Sequence, residues 1–167
     1  MTREAASLIM IAIALVVLAL MVWGWRRRTR RDADVRVPLG EPAGDAVATF
    51  SGLLVATTRH DAPLDRIVAR PLAFRSRAEI TVTTAGLGLA MPGEPPVFIP
   101  ADRIVGAGRA TWTIDRVVER DGLVLVAWSD GSQTLDTYLR LPDDDPALLT
   151  RAIDDISAAG TPTGATS

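Results

Sequence analysis

The N-terminal part of the chain combines an apolar run with a block of arginines. Residues 5–25 carry no charge and consist almost wholly of Leu, Ile, Val, Met and Ala, and residues 26–31 then read RRRTRR. A helix of about 21 residues rises roughly 31 Å, which is enough to cross the hydrocarbon core of a bilayer. The pattern predicts a transmembrane helix over 5–25, so everything that folds as a soluble domain must come after it.

The charges on either side of the run predict its orientation. The basic residues that follow it directly are Arg26, Arg27, Arg28, Arg30 and Arg31. Before the run, Arg3 is offset by Glu4. Because arginines stay on the cytoplasmic side of a membrane, we expect the N-terminus outside and the C-terminal part in the cytoplasm, with the protein in the cytoplasmic membrane of a bacterium.

The same junction predicts contacts with the membrane surface. Trp23 and Trp25 end the apolar run, where indole rings favour the headgroup zone, and we expect them to act as interfacial anchors. The five arginines attract anionic lipids, at about 1 kcal/mol for each basic residue near the surface. The lipid bilayer, with its anionic lipids, is therefore one expected partner.

Two other interpretations of the apolar run fit less well. A cleaved signal peptide carries its positive charges before a shorter apolar core and ends at small residues, whereas here the arginines come last and Trp25 precedes them. A helix buried inside a soluble protein is seldom apolar on every face over this length. Both interpretations explain the sequence less well than a membrane anchor does.

The composition limits what the rest of the chain does. About 136 residues follow the arginine block, which is enough for one domain of ordinary size. The chain has no cysteine, which excludes disulfides, thiolate catalysis and cysteine-ligated metals. The net charge is −2, and it is unevenly placed: the juxtamembrane segment is strongly basic and the remainder of the chain is acidic. A nucleic-acid partner is therefore not expected.

Residues 26–46 are predicted to be a basic juxtamembrane segment followed by a linker. Positions 32–46 read DADVRVPLGEPAGDA, with two prolines, two glycines and no periodicity, which is typical of a linker. A flexible coil of about 15 residues spans roughly 20 Å on average. This predicts a domain held close to the membrane but not pressed onto it.

Residues 47–159 show the pattern of a mainly β domain. Ile80 and Val82 alternate with threonines, as in a half-buried strand, and residues 123–128 (LVLVAW) are continuously apolar, as in a covered one. Asp121-Gly122 and Asp130-Gly131 are hairpin-turn sequences and predict a three-stranded meander over about 110–140. Short strands at regular spacing favour a small barrel or sandwich.

One helix is predicted to close this domain. Asp145 is a favourable N-cap and Pro146 a favourable first helical residue. The residues expected on its apolar face are Leu148, Leu149, Ala152, Ile153 and Ile156. This face should pack over an open end or edge of the sheet. Residues 160–167 are predicted to be a disordered tail.

The sequence indicates no catalytic, metal or cofactor site. The only histidine, His60, stands beside Asp61, but adjacent residues point in different directions and do not form a dyad by adjacency. Three consecutive acids at 143–145 lack the alternating spacing of a calcium loop and fit helix capping better. The glycine pairs at 86/88 and 106/108 favour turns and bulges over phosphate loops. We expect the chain not to be an enzyme.

A segment rich in arginine is a weaker candidate for a binding surface. Its members are Arg59, Arg66, Arg70, Arg75 and Arg77. They could gather around an anionic headgroup or an acidic partner. The alternative, which we favour, is a solvated surface with local ion pairs to Asp61, Asp65 and Glu79.

Several segments together resemble an actinobacterial family of single-pass membrane proteins with a bacterial PH-like domain. They are GLLVATTRHDAPLDRIVAR, AEITVTTAGLGLAMPG, IPADRIVGAGRATWTIDRVV and DTYLRL. Members are often labelled "transporter" or "export or membrane protein", and their genes tend to lie among those for pyrimidine biosynthesis. The resemblance implies a PH-like barrel or sandwich of about seven strands with a C-terminal helix, after one transmembrane helix.

Three classes of function are compatible with this reading. The first is a membrane-tethered module that binds a protein, peptide or lipid on the cytoplasmic face, which we favour. The second is an accessory subunit of a transport or export system, because a single span without ionisable residues cannot form a transporter core alone. The third, an enzyme at the membrane, has no catalytic constellation to support it.

Overall fold

The computed structural model describes residues 3–32, 34–110 and 122–160, which fall into two units, Met1–Asp34 and Val35–Ser167. The first unit is a single helix, α1 (Arg3–Asp32). Its part Ser7–Arg27 is long and apolar enough to cross a membrane, and none of it is buried in the protein. The predicted apolar helix is confirmed, and it continues as helix through the arginine block.

The second unit is built mainly of β-structure. Its described strands are β1 (Ala46–Arg59), β2 (Ala62–Arg66), β3 (Ser76–Thr83), β4 (Gly86–Ala90), β5 (Val97–Pro100), β6 (Ile104–Ala110), β7 (Leu123–Ser129) and β8 (Thr134–Arg140). All pairs are antiparallel, in the order β5-β4-β3-β1-β8-β7-β6, with β2 beside β1. The mainly β class is confirmed, with eight strands described where about seven were expected.

Strand β1 belongs to both halves of this sheet. Its first part pairs with β3, where Phe50 lies opposite Ile80, and its second part pairs with β8, where Thr57 lies opposite Thr137. The register with β8 shifts between Leu54 and Ala56. Such irregularities bend a strand and increase its twist, so β1 can turn from one half of the sheet into the other.

The meander and its turns follow the sequence pattern closely. β6, β7 and β8 are consecutive neighbours, as predicted for the meander. β6 lies almost wholly before the predicted range of 110–140, and residues 111–121 lie outside the described residues. The β7–β8 loop is closed by the Asp130 carboxylate, which accepts hydrogen bonds from the backbone N–H groups of Ser132 at 2.7 Å and Gln133 at 2.9 Å. Gly131 has a φ of 99°, which favours glycine. Asp121, in the other predicted turn, lies outside the described residues.

The hydrophobic core lies between the sheet halves and the C-terminal helix. Trp128, Leu54 and Leu139 are fully buried. The indole Nε1 of Trp128 donates to Thr137 Oγ1 at 2.9 Å, so the one polar atom of this ring is satisfied inside the core, as a buried donor must be. This bond fixes the position of β7 against β8.

The C-terminal helix, α2 (Pro146–Gly160), bridges the two halves. It packs against β6 and also against β1, β3 and β4. The Asp145 carboxylate accepts the N–H of Ala147 at 2.9 Å, which confirms the predicted N-cap. Leu149 and Ile153 are fully buried, but Leu148 is 54% exposed, so the predicted apolar face is too wide by this residue. The predicted tail, 160–167, lies outside the described residues from 161 onward.

Residues 35–45 form an extended strap on the sheet rather than the flexible linker predicted for 32–46. Phe98 donates its N–H to Pro38 O at 2.9 Å, and Gly40 donates to Pro96 O at 3.0 Å. Val35 is buried in the core. The strap could not be recognised from the sequence, because the backbone hydrogen bonds at Pro38, Gly40 and Asp45 that hold it leave no periodic side-chain pattern. The second unit therefore begins at Val35, not at 47.

Candidate functional site

An open groove of about 770 Å³ lies beside β1, β3 and the end of β4. Its lining residues are Ser51, Gly52, Leu53, Arg77, Ala78, Glu79, Ala90, Met91, Pro92, Pro142 and Asp143. A volume in this range accommodates a ligand of small-molecule or short-peptide size. This groove is the candidate functional site.

The alternation of β3 brings charged side chains into the groove. Ala78 and Ile80 are buried, so Arg77 and Glu79, which alternate with them, point away from the core and are exposed. Opposite them on β1 lie Leu53, in register with Arg77, and Ser51, in register with Glu79. The groove floor is thus the outer face of two paired strands.

The segment between β8 and α2 forms another wall. Pro142 and Asp143 line the groove, and the neighbouring Asp144 accepts the N–H of Ser51 through its carboxylate at 3.4 Å. This bond ties the acidic loop to β1. The consecutive acids at 143–145 therefore form part of the groove wall, in addition to the helix capping expected from the sequence.

The charges of the groove are mixed. One guanidinium, from Arg77, shares it with the carboxylates of Glu79 and Asp143, and the rest of the lining is largely apolar. A polyanionic headgroup would meet two like charges here and a single cation. An extended peptide that carries a basic side chain would meet complementary charges and an apolar floor.

A second polar cluster lies at the β1–β2 turn. His60 Nδ1 is 2.8 Å from Asp136 Oδ1 on β8, and His60 Nε2 is 3.7 Å from Asp61 Oδ2. Asp136 is buried, whereas the His60 side chain is about half exposed. The hydrogen bond to Asp136, followed by the charge of that carboxylate, raises the pKa of His60 above its ordinary value of 6.5. The cluster fastens the turn to β8.

Sequence reasoning found His60 but missed its main partner. It rejected Asp61 as a dyad partner, and the structure places Asp136, 76 positions further along, against the ring. The pairing of Thr58 with Asp136 in the sheet brings the two together. Asp136 could not be recognised as this partner beforehand, because the register between distant strands is not visible in one sequence.

The five candidate arginines do not converge on one surface. Arg77 lines the groove. Arg59 forms an ion pair with Asp65 at 3.3 Å and donates to Gln133. Arg66 Nη2 donates to Val55 O at 3.2 Å, and Arg70 lies 3.8 Å from Glu94. Arg75 is exposed. A ligand-facing role for them stays a prediction, with Arg77 the best placed.

The membrane junction is described in part. The Arg27 guanidinium lies over the Trp23 ring at 5.7 Å from its centroid, a cation–π contact between residues one helical turn apart. The side chains of Arg28, Arg30 and Arg31 lie outside what the structure describes, and Arg26 and Trp25 are exposed. Lipid contact by these residues stays a prediction. Among the described residues, no group of three or more acids and histidines is placed to hold a metal ion.

Comparisons with known proteins agree with this architecture. A family model described as "Bacterial PH domain-like" matches residues 20–156. A chain of the solved structure titled "The 8S snRNP Assembly Intermediate" is similar with a TM-score of 0.51 and 9% identity, over 78% of this chain and 96% of that one. At that identity the likeness concerns the fold alone. No curated protein matches the sequence.

Proposed function

Since the chain belongs to the bacterial PH domain-like family, we propose that it is a membrane-tethered interaction module whose groove binds an extended peptide segment of a partner protein. The anchor is α1, and the domain from Val35 onward is the binding part, on the cytoplasmic side of a bacterial cytoplasmic membrane. Catalysis is not part of this proposal. The observation that carries it is the groove with its mixed charges.

The chemistry of the groove favours a peptide over a lipid headgroup. Glu79 and Asp143 outnumber Arg77, so a phosphate-rich ligand gains little, whereas a Lys or Arg side chain of a peptide finds two carboxylates. The apolar lining, which includes Leu53 and Met91, suits the side chains on either side of that basic residue. The role of the membrane is then to position the module, not to fill the groove.

Charge reversal in the groove tests this proposal. The full chain in lipid nanodiscs would be used to select binders from a random dodecapeptide display library. We expect the selected peptides to carry a basic residue between apolar ones. They should bind the unchanged chain but not its Glu79→Arg variant. The matched control is Arg75→Glu, an exposed arginine that is not part of the groove lining. It should leave binding unchanged.

Two results would contradict the proposal. One is a selection that yields no peptide sensitive to Glu79→Arg while the variant remains folded. The other is binding of the domain to anionic vesicles that is abolished by Arg77→Ala and unaffected by Glu79→Gln, which would assign the groove to lipid headgroups.

The orientation of the anchor has a separate test. A reporter that is active only in the cytoplasm, fused after Ser167, should be active, and one that is active only outside should be silent. The reverse pattern would place the domain outside the cytoplasm and exclude partners from that compartment.

A further inference from the structure

Three large apolar side chains are exposed along one margin of the sheet. Leu64 is 78% exposed, Phe74 62% and Val68 37%. Leu64 lies in β2, and the other two lie in the segment that connects β2 to β3. Single exposed apolar residues are common on soluble proteins, whereas several together mark a contact surface for a protein or a membrane.

The pairing of β1 confines these residues, which belong to the 62–75 segment, to a short part of the margin. β8 occupies one edge of β1 here, so β2 and β3 both lie along the other edge. Ser76 of β3 pairs with Leu54, and Arg66 of β2 pairs with Thr58, four residues further along β1. Four residues of a strand span about 13–14 Å. The exposed side chains therefore extend from one small region of the surface.

The 62–75 segment is packed against the sheet. Ile67 and Leu72 are buried in the core, and the N–H of Ile67 donates to Thr57 O at 2.8 Å. These contacts fix the backbone on either side of the exposed positions. Val68 and Phe74 are thus presented outward by an anchored segment, and the apolar side chains need no ordering before they make a contact.

The charge of this region is opposite to that of the rest of the domain. From Val35 onward the chain has 17 acids and 12 arginines, yet residues 66–78 contain four arginines and no acid. The side chain of Arg70 is 75% exposed although it lies 3.8 Å from Glu94, and Arg75 is exposed. Apolar side chains flanked by cations are suited to an anionic lipid surface, which takes up the apolar groups and attracts the charges.

The acids of the β1–β2 turn do not cancel this charge. Asp65 is paired with Arg59 at 3.3 Å. Asp61 lies 3.7 Å from Nε2 of His60, a ring whose pKa is raised chiefly by its hydrogen bond to a different carboxylate. Over residues 59–78 as a whole, five arginines face three acids, including Glu79's neighbours on neither side.

The short connection to α1 favours a bilayer over an acidic protein as the partner of this region. The apolar span ends at Arg27 and the second unit begins at Val35, so only residues 28–34 connect them. Even fully extended, this connection reaches at most about 29 Å, because the strap that follows is bound to the sheet. A bilayer around α1 is therefore always close to the domain. Such tethering gives a high effective concentration, so a weak contact suffices.

We propose that Leu64, Val68 and Phe74 enter the headgroup boundary of an anionic bilayer. Arg70 and Arg75 then lie against the lipid phosphates, and the domain rests on the membrane by this margin. The proposal rests on the membrane anchor of the proposed function. It does not depend on the peptide, since none of these five residues lines the groove.

Spin labels on single cysteines test this contact, because the chain has no cysteine of its own. The full chain would be reconstituted in nanodiscs of phosphatidylcholine with phosphatidylglycerol, with the label at Leu64→Cys or at Phe74→Cys. Oxygen concentrates in the bilayer and a nickel chelate stays in water, so the ratio of their relaxation effects shows whether a label lies in lipid. We expect both labels to respond mainly to oxygen.

Two other exposed apolar residues supply the matched controls. Val105 is 64% exposed on β6 and Leu148 54% on α2, and labels at Val105→Cys and Leu148→Cys should respond mainly to the nickel chelate. Val16→Cys, in the apolar span of α1, is the reference for a label in lipid and reports on the anchor separately.

Charge reversal tests the part played by the arginines. Arg70→Glu combined with Arg75→Glu should return the labels at 64 and 74 to water, as should nanodiscs of phosphatidylcholine alone. Arg103→Glu combined with Arg151→Glu makes the same change in net charge at exposed arginines elsewhere, and it should leave both labels in lipid.

Three results would overturn the proposal while the label at 16 lies in lipid. Labels at 64 and 74 that respond to nickel as the controls do would show that the segment stays in water. Labels in lipid at all four domain positions would indicate unspecific adsorption, and shielding of 64 and 74 from both reagents would mean that protein covers the segment. A label at 16 that responds to nickel would instead refute the anchor, and with it the proposed function and this contact.

Discussion

The two edge strands of the sheet, β5 and β6, differ in whether another segment of the chain covers them. At β5, the strap of residues 35–45 lies on the edge strand and bonds to its backbone. At β6, the edge has no such cover among the described residues and carries two glycines with open space beside them. One edge is thus covered by the strap, whereas among the described residues the other has no strand partner besides β7.

Glycine shows the difference most clearly, because the same residue type serves opposite purposes at the two ends. Gly86 and Gly88 are buried beneath close neighbours, where only a hydrogen atom fits. Gly106 and Gly108 have free space where a side chain would be. Packing requires glycine at the β5 end, whereas at β6 no neighbouring atom excludes a side chain at either position.

The largest effect should come from Gly86→Ala. A Cβ at this position would lie 2.3 Å from Ile99 O and 2.9 Å from Pro100 Cα, both backbone atoms of the paired region of β5. Since neither can move without disrupting the β4–β5 pair, we expect a loss of about 3 kcal/mol in the free energy of unfolding. Urea unfolding of the detergent-solubilised protein, followed by circular dichroism, measures it.

Gly108→Ala is the matched control for this change. With open space at its Cβ, it should alter the free energy of unfolding by less than about 0.5 kcal/mol. Equal losses for the two variants would mean that the β6 end is as tightly packed as the β5 end, and the contrast between the edges would be lost.

A smaller effect is expected from Gly88→Ala, which acts on the strap itself. Its Cβ would lie 2.5 Å from Pro42 Cγ, a side-chain atom of a segment that can shift. We expect a loss of about 1–2 kcal/mol and faster hydrogen exchange at the Phe98 amide, whose bond to Pro38 O depends on the strap.

Pro42→Ala should partly rescue Gly88→Ala, because it removes the Cγ atom that the new Cβ meets. A double-mutant cycle then shows a favourable coupling between the two changes. Strictly additive losses would mean that Pro42 of the strap does not pack against position 88 of β4.

The features predictable from the sequence were those that leave a local pattern. The alternation around Ile80 and Val82 and the Asp130-Gly131 turn predicted strands and a loop that the structure contains. The Asp145 cap predicted the start of α2. The strap left no such pattern, since prolines and glycines interrupt it and its partners on β5 are about 60 residues away in the chain.

The candidate site was less predictable, for a related reason. Arg77 could be named as a candidate from its arginine-rich segment, but its neighbours Asp143 and Met91 come from other elements. Their meeting depends on how β1 passes from one half of the sheet to the other. The same long-range register places Asp136 against His60, and it is decided by packing of the whole core.

At the β2 margin, the His60–Asp136 contact should make stability depend on pH. The folded pKa of His60 is raised above 6.5 by the hydrogen bond to Asp136. The protonated ring is therefore favoured in the folded state, so its contribution is fully present below about pH 6.5 and is lost as the pH rises through the folded pKa. NMR titration of this single histidine, with thermal unfolding at each pH, measures both.

Asp136→Asn should bring the His60 pKa back toward 6.5 and flatten this pH dependence. Asp61→Asn is the control, because Asp61 lies further from the ring, at 3.7 Å, and is the smallest of the causes that raise the pKa. If Asp61→Asn had the larger effect, the turn would be held by its own local contact and not by β8.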